Sequence, residues 1–176
     1  MTRTSSALTI IFFLLLLILL FYIVVIPADK SKNQLGRLVG ETLPSFQLPI
    51  LDSNELLTNQ NFSHHQKDFI LLNFYASWCR TCEDDHQELM KLAGNSNIAI
   101  YGVMSKDNTK KSIEWLEKKG NPYDLIAIDK FGRMKSVFKL IGIPESFLID
   151  HNNIIISHFR GPVDIKIINE ITTYKP

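Results

Sequence analysis

The chain has 176 residues, a formal net charge of +1 and 45% hydrophobic residues. This length supports one domain with a full hydrophobic core and a short additional segment. The near-neutral charge provides no basic field for nucleic acid, and the sequence has no acidic tail. The composition therefore argues against a nucleic-acid partner.

An apolar segment begins the chain. The stretch between Arg3 and Asp29 carries no charged side chain, and its apolar part runs over residues 7–26. Roughly twenty apolar residues suffice to cross the hydrocarbon core of a bilayer. A cleaved signal peptide would have a shorter apolar run and small residues at its cleavage site, whereas the candidate site here carries the bulky Ile26. The segment predicts a retained single-pass transmembrane helix.

The chain is predicted to comprise three parts: a cytoplasmic tail with the anchor (1–28), a polar linker (29–38) and a folded domain (39–176). Cations lie on both sides of the anchor, so the positive-inside rule gives almost no preference. A short tail before a long domain favours an N-terminus in the cytoplasm.

The sequence of the folded domain alternates between patterns typical of strands and patterns typical of helices. Residues 39–61 hold two prolines and short apolar runs, which predicts edge strands and turns. The later elements are predicted as strands over 69–76, 98–104 and 125–128, helices over 79–92, 109–119 and 133–140, a hairpin of 147–150 with 154–159, and a last helix over 164–173. This order predicts a mixed α/β fold with helices on both faces of a central sheet.

The two cysteines of the chain form one Cys-x-x-Cys pair, Cys79 and Cys82, between a predicted buried strand and a helix. A bridge that closes two residues constrains the unfolded chain very little, so a purely structural role is weak. Backbone N–H groups and the helix dipole stabilise a thiolate at a helix N-terminus, and the thiolate is the attacking species in disulfide exchange. Because Cys82 lies one helical turn further on, the spacing favours redox chemistry.

Metal binding is the alternative interpretation of the same segment. Cys79, Cys82 and His86 provide three ligand types, and the last two are four residues apart on one helix face. A structural zinc site usually needs four ligands, and haem attachment needs a histidine directly after the second cysteine, where Glu83 stands. Redox chemistry is therefore favoured, and a copper chaperone that uses these residues stays open.

Three motifs carry a resemblance to a known family. Residues 71–82 (LLNFYASWCRTC) resemble the active-site strand and turn of the thioredoxin superfamily. Residues 142–150 (GIPESFLID) are similar to the cis-proline segment of its cytochrome c biogenesis branch, and residues 113–123 are also similar to that branch. From about residue 39 to its end, the chain resembles the DsbE or CcmG type of thiol:disulfide interchange protein. The resemblance implies a thioredoxin-like fold behind the transmembrane helix.

The resemblance implies a site around a redox-active Cys79–Cys82 disulfide, with Cys79 as nucleophile and Cys82 as resolving cysteine. The implied supporting residues are Trp78, Asp85, Pro144 and Glu145, with Pro144 as a cis-proline opposite the cysteines. Related proteins usually have a glutamate at the position of Asp85.

Asn73 stands where ordinary thioredoxins bury an aspartate, so Asp85 or Glu145 would have to accept the proton of Cys82. Both carboxylates are expected to lie exposed at the active-site surface and to contribute little to stability. They are also expected to favour basic partners by repelling acidic ones.

The resemblance further implies a reductase at the inner membrane, with its domain in the periplasm. Its substrate would be the Cys-x-x-Cys-His disulfide of apocytochrome c, or a thiol protein of cytochrome c maturation. A membrane electron donor of the DsbD or CcdA type would re-reduce it, because the periplasm is kept oxidising. No metal or other cofactor is expected, and the sequence has no dinucleotide-binding or Walker motif. A general periplasmic oxidant or disulfide isomerase stays open.

Overall fold

A computed structural model describes residues 12–18, 38–63 and 66–173 of the chain. The chain divides into two units, Met1–Gln34 and Leu35–Pro176. In the first unit residues 12–18 are helical, and the rest of the predicted anchor lies outside the described residues, as does most of the predicted linker. Within the described ranges, no helix combines the length and the apolar character needed to cross a bilayer.

The second unit contains seven strands and five helices in its described part. The strands are β1 (Gln47–Pro49), β2 (Leu56–Thr58), β3 (Phe69–Tyr75), β4 (Ile98–Ser105), β5 (Leu125–Asp129), β6 (Glu145–Asp150) and β7 (Ile155–Arg160). The helices are α1 (Gln60–Ser63), α2 (Thr81–Leu92), α3 (Thr109–Lys119), α4 (Met134–Val137) and α5 (Ile165–Thr173).

Five of the strands form one mixed sheet in the order β5-β4-β3-β6-β7. The β3, β4 and β5 strands are parallel, whereas β6 runs antiparallel to both β3 and β7. All eight residues of β4 are buried, which explains why this strand is an almost continuous apolar run. The first two strands form a separate antiparallel pair that ends at Pro49, as the prolines in this region predicted.

Two hydrophobic cores lie on opposite faces of the sheet, because successive side chains of a strand alternate between its faces. On one face Ile70, Leu72 and Phe74 of β3 pack with residues of β1, β2, α1 and α4. On the other face Leu71 and Tyr75 pack with residues of α2, α3 and α5. The predicted mixed α/β fold with helices on both faces is therefore confirmed.

Two predicted helix boundaries were wrong. The helix predicted over 79–92 begins at Thr81, and Cys79 lies in the turn before it, where its N–H donates to the Ala76 carbonyl at 3.1 Å. The helix predicted over 133–140 covers only Met134–Val137, because Lys139 takes a left-handed φ of 53° that ends helical geometry.

The hairpin also begins earlier than predicted. Its first strand starts at Glu145, since Glu145 and Ser146 pair with Phe74 and Asn73 of β3. This register places the residues after Pro144 beside the end of β3, next to the cysteines.

Candidate active site

The two cysteines form a disulfide at the junction of β3 and α2. The N–H of Cys82, in the first turn of α2, lies 3.2 Å from the Cys79 sulfur. Cys79 is 9% exposed and Cys82 is 1% exposed. In the reduced protein, the N-terminus of α2 would therefore stabilise a thiolate at Cys79, the more accessible of the two sulfurs.

The loop before β6 faces this disulfide. The Ile143–Pro144 peptide bond is cis, as the resemblance implied. The carbonyl oxygen of Ile143 lies 3.6 Å from the Cys79 sulfur. The backbone of this loop is thus close enough to contact a polypeptide that is joined to Cys79.

Trp78 lies at the surface beside the cysteines and is 62% exposed. Its indole N–H donates to the Lys106 carbonyl at 3.1 Å, so the exposed ring is held in place. The preceding turn is held by Asp107, whose carboxylate accepts from the N–H of Ser77 at 2.5 Å and from its hydroxyl at 2.9 Å. The sequence-based expectations did not include this Ser77–Asp107 contact, which joins residues thirty positions apart.

The expectation that Asp85 is exposed was wrong, because this residue of α2 is only 1% exposed. One carboxylate oxygen accepts from the Val163 N–H at 2.8 Å, and the other accepts from the Asn73 side-chain amide at 2.7 Å. The run of Glu83, Asp84 and Asp85 suggested a solvated helix start. The helical phase instead turns Asp85 inward with Cys82, three residues earlier.

Asn73 is the centre of a buried polar network in which its amide also donates to the Ser146 hydroxyl at 2.8 Å. Its carbonyl oxygen accepts from the Tyr123 hydroxyl at 2.9 Å. Tyr123 reaches Asn73 across Gly102, where an added Cβ would come within 2.9 Å of the tyrosine ring. The carboxylate that ordinary thioredoxins carry on this strand is thus provided by Asp85 from the neighbouring helix.

The environment of Asp85 shifts its pKa toward neutral pH. Burial raises the pKa of Asp85 to about 6, against the opposing effect of the hydrogen bonds from Val163 and Asn73. Cys82 and Asp85 are both buried, and residues three apart on a helix lie on the same face. A group whose pKa lies near neutral pH is well suited to accept a proton and release it again.

Glu145 is also buried, at 2% exposed, so the expectation of a surface charge was wrong here too. One carboxylate oxygen accepts from the N–H groups of Ile141 and Gly142 at 2.6 and 2.8 Å. The other lies 2.7 Å from Nε2 of the buried His158. Burial alone would raise the pKa of Glu145, but the bonds from His158 and the two amides outweigh it and hold that pKa below its usual value.

His158 was not assigned a role from the sequence. It lies on β7, where its ring stacks on Phe147 of β6 at a centroid distance of 4.1 Å. Through Glu145, this histidine is linked to the loop that carries the cis-proline. The sequence alone did not identify Glu145 as the partner of His158, because their contact depends on how β6 pairs with β7.

The arrangement does not support the metal alternative. His86 is buried, and its ring lies 4.5 Å from the Trp115 ring of α3. Among the described residues, no group of three His, Cys, Asp or Glu side chains is arranged to hold a metal ion. Cys79, Cys82 and His86 thus do not form the ligand set that the sequence spacing allowed.

Comparison with known proteins gives the same class. The Redoxin family model matches residues 38–174. The thiol:disulfide interchange protein DsbE of Haemophilus influenzae is 36% identical over 139 residues, which cover 79% of this chain and 74% of that protein. DsbE of Escherichia coli K12 is 34% identical over 142 residues, covering 81% and 76%. A crystal structure of a putative DsbE from Chlorobium tepidum shares the fold, with a TM-score of 0.60 and 20% identity over 77% of this chain and 96% of that chain.

The family match, the relatives named DsbE and the Cys79–Cys82 disulfide together define a thiol:disulfide oxidoreductase of the thioredoxin superfamily. The chain belongs to the Redoxin family, as a protein of the DsbE or CcmG type. The resemblance drawn from the motifs is therefore confirmed.

Asp85→Asn should change how stability depends on pH. The pKa of Asp85 is about 6 in the folded protein and 3.8 for an unperturbed aspartate, so the folded state binds the proton more tightly between these values. The free energy of unfolding of the parent should therefore fall, relative to the variant, by about 3 kcal/mol as pH rises through this window. Urea unfolding of the oxidised proteins at a series of pH values measures the difference. Asp84→Asn, on the exposed side of the same turn, should follow the parent, and parallel curves for Asp85→Asn would contradict the argument.

His158→Leu should destabilise the fold by about 2 kcal/mol, because it leaves one oxygen of a buried carboxylate without its donor. His158→Gln retains an N–H donor and should recover part of the loss. Urea unfolding at neutral pH gives both values, and His151→Leu in the exposed hairpin turn is the matched control. Equal losses for His158→Leu and His151→Leu would show that the contact with Glu145 contributes nothing.

Proposed function

We propose that this protein reduces disulfides of cytochrome c maturation, in apocytochrome c or in a partner thiol protein, on the periplasmic side of the inner membrane. The observation that carries the proposal is the position of Cys79, at the start of α2 and 3.6 Å from the carbonyl that precedes the cis-proline. The relatives named DsbE and the GIPESFLID motif support the pathway.

In the first step, the thiolate of reduced Cys79 attacks one sulfur of the substrate disulfide. The substrate S–S bond breaks, a Cys79–substrate disulfide forms, and the other substrate sulfur leaves as a thiolate that takes up a proton. An extended substrate segment would lie along the Ile143–Pro144 backbone, whose geometry is set by Glu145 and His158.

In the second step, Cys82 passes its proton to Asp85 and attacks the Cys79 sulfur. The mixed disulfide breaks, the second substrate thiolate leaves, and the Cys79–Cys82 disulfide forms. Two electrons have then moved from the protein to the substrate, which is released as a dithiol. The disulfide in the structure corresponds to this oxidised product. A membrane electron donor of the DsbD or CcdA type would restore the dithiol.

The apolar segment over residues 7–26 would hold the domain at the membrane, with the linker over 29–38 between them. Tethering keeps the domain near a membrane-bound electron donor and raises its effective concentration there.

Reduced Cys82→Ala should form a stable mixed disulfide with a peptide that contains an oxidised Cys-x-x-Cys-His sequence, because no resolving thiol remains. Mass spectrometry of a proteolytic digest should place the adduct on Cys79. Reduced Cys79→Ala is the matched control and should form no comparable adduct, since the remaining Cys82 is buried. An adduct on Cys82 alone would reverse the proposed roles.

The same peptide also tests the direction of electron flow. Equal amounts of reduced parent protein and oxidised peptide should end with the peptide mainly as a dithiol. A mixture in which the peptide stays oxidised would indicate an oxidant instead of a reductase.

The anchor should remain attached to the mature protein, because the candidate cleavage site Ile26-Pro27-Ala28 carries the bulky Ile26 where a small residue is needed. Mass spectrometry of the membrane fraction should detect peptides from the N-terminal side of Ile26. A mature chain that begins near Asp29 in the soluble fraction would show that the segment is a cleaved signal.

A further inference from the structure

A cleft of about 350 Å³ opens beside the disulfide. Trp78, Leu140 and Ile143 form apolar parts of its wall, and Lys106 and Lys135 also line it. Ile143 lines the cleft and also contacts the active site, because its carbonyl oxygen lies 3.6 Å from the Cys79 sulfur. The cleft is therefore next to any polypeptide that is bound at Cys79.

One wall of the cleft is an exposed but ordered aromatic ring. The Trp78 indole is fixed by its hydrogen bond to the Lys106 carbonyl at 3.1 Å, although most of the ring faces solvent. A ring that is already held in place loses little conformational entropy when a partner covers it. Exposed tryptophans of this kind are frequent at binding surfaces.

Lys106 is held at its backbone and along its side chain. Its N–H donates to the Asp129 carbonyl at 3.0 Å, and its carbonyl accepts from Trp78. Its aliphatic stem lies over Gly132, where an added Cβ would clash with Lys106 Cε. The stem is thus supported by packing while the side chain remains exposed at the cleft.

Lys135 is placed on the cleft by the short helix α4. The Asp129 carboxylate accepts from the first amides of this segment, Arg133 N–H at 2.8 Å and Met134 N–H at 3.0 Å. These bonds fix the start of α4 against the end of β5. Lys135 is exposed, one residue after the second capped amide.

The charge around the cleft is positive. Among the described residues that line it, Lys106 and Lys135 are the only ionisable ones, and neither forms an ion pair with a described residue. The two nearest acidic residues in the sequence have other partners: Asp107 binds Ser77, and Asp129 caps α4. The two lysines are therefore the charged side chains that a substrate would contact within the cleft.

We propose that this cleft selects substrate segments that carry an apolar side chain and a carboxylate on the same side of an extended chain, with Lys106 and Lys135 as specificity-determining residues. In an extended segment bound at Cys79, alternate side chains point to the same side, so a residue near the attacked cysteine can enter the cleft. This inference rests on the disulfide reduction proposed above. The sequence led us to expect a preference for basic partners, whereas this proposal gives a preference for acidic ones. The difference arises because Asp85 and Glu145 are buried and hydrogen-bonded within the protein.

The charge preference of the two lysines should act on the rate at which the substrate associates with the protein. Exposed ion pairs add little to the stability of a complex, whereas unlike charges steer encounter and like charges slow it. Because both lysines are exposed, salt should screen the effect strongly.

Two peptides with the same Cys-x-x-Cys disulfide and the same nearby leucine test the proposal. In one peptide the residues two positions before and after the leucine, which point to the same side, are glutamates, and in the other they are lysines. The reduced parent protein should reduce the glutamate peptide about tenfold faster at low ionic strength, and the ratio should approach one at high salt. Stopped-flow measurement of the second-order rate constants gives the ratio.

Replacing both cations, Lys106→Gln with Lys135→Gln, should bring the ratio close to one at low salt. Lys118→Gln, an exposed lysine of α3, should leave the ratio at the parent value. The rate of each protein with the uncharged reagent 2,2′-dipyridyl disulfide measures the reactivity of Cys79 itself, and the ratio of the two peptide rates within one protein does not depend on it.

The outcomes distinguish the charge selectivity of the cleft from the proposed reductase function. A parent that reduces both peptides equally well, or a double variant that keeps the preference, overturns the charge selectivity and leaves the reductase function standing. If dipyridyl disulfide reacts but neither peptide is reduced, the proposed reductase function fails, and the role of the cleft fails with it.

Discussion

The hydrogen bond from the Asn73 amide to the Asp85 carboxylate is the constraint on which the geometry of the site depends. Asn73 lies on the central strand β3, and the same side chain contacts Ser146 of β6 and Tyr123 before β5. Asp85 extends the network to Val163, after β7. Each of these buried polar contacts is satisfied inside the protein, so the network can orient α2 on the sheet without leaving an unpaired group. The start of α2, and with it both cysteines, is positioned by this network.

A second buried carboxylate positions the other half of the site. Glu145 holds the amides of Ile141 and Gly142, just before the cis-proline, and His158 holds Glu145 from the edge strand. The cysteine turn and the proline loop therefore each depend on an acid that is turned into the protein. These negative charges face inward, and the charged residues that line the cleft beside Cys79 are Lys106 and Lys135. The buried acids therefore orient the site, and the surface lysines contact the partner.

The sequence predicted the elements that depend on local pattern. The apolar runs of β3 and β4, the Cys-x-x-Cys pair and the GIPESFLID segment all led to the correct fold and family. The burial of Asp85 could not be predicted in the same way, because three successive acids on a helix start differ only in helical phase. For Glu145 and His158 the pairing register of β6 and β7 decides burial, and register depends on contacts far apart in the chain. Whether a single charged residue is exposed therefore depends on the tertiary structure around it.

In the proposed second step, the position of the buried acid on α2 matters for Cys82. An acid on β3 would belong to the sheet, whereas Asp85 lies on the same helix as Cys82. A buried thiolate is costly in an apolar site, so Cys82 gains from losing its proton only as it attacks. Burial raises the pKa of Asp85 to about 6, and at neutral pH the carboxylate is therefore mostly ionised and ready to accept that proton. After the disulfide has formed, the proton on Asp85 is only weakly held and can leave, so the carboxylate is ionised again before an electron donor restores the dithiol.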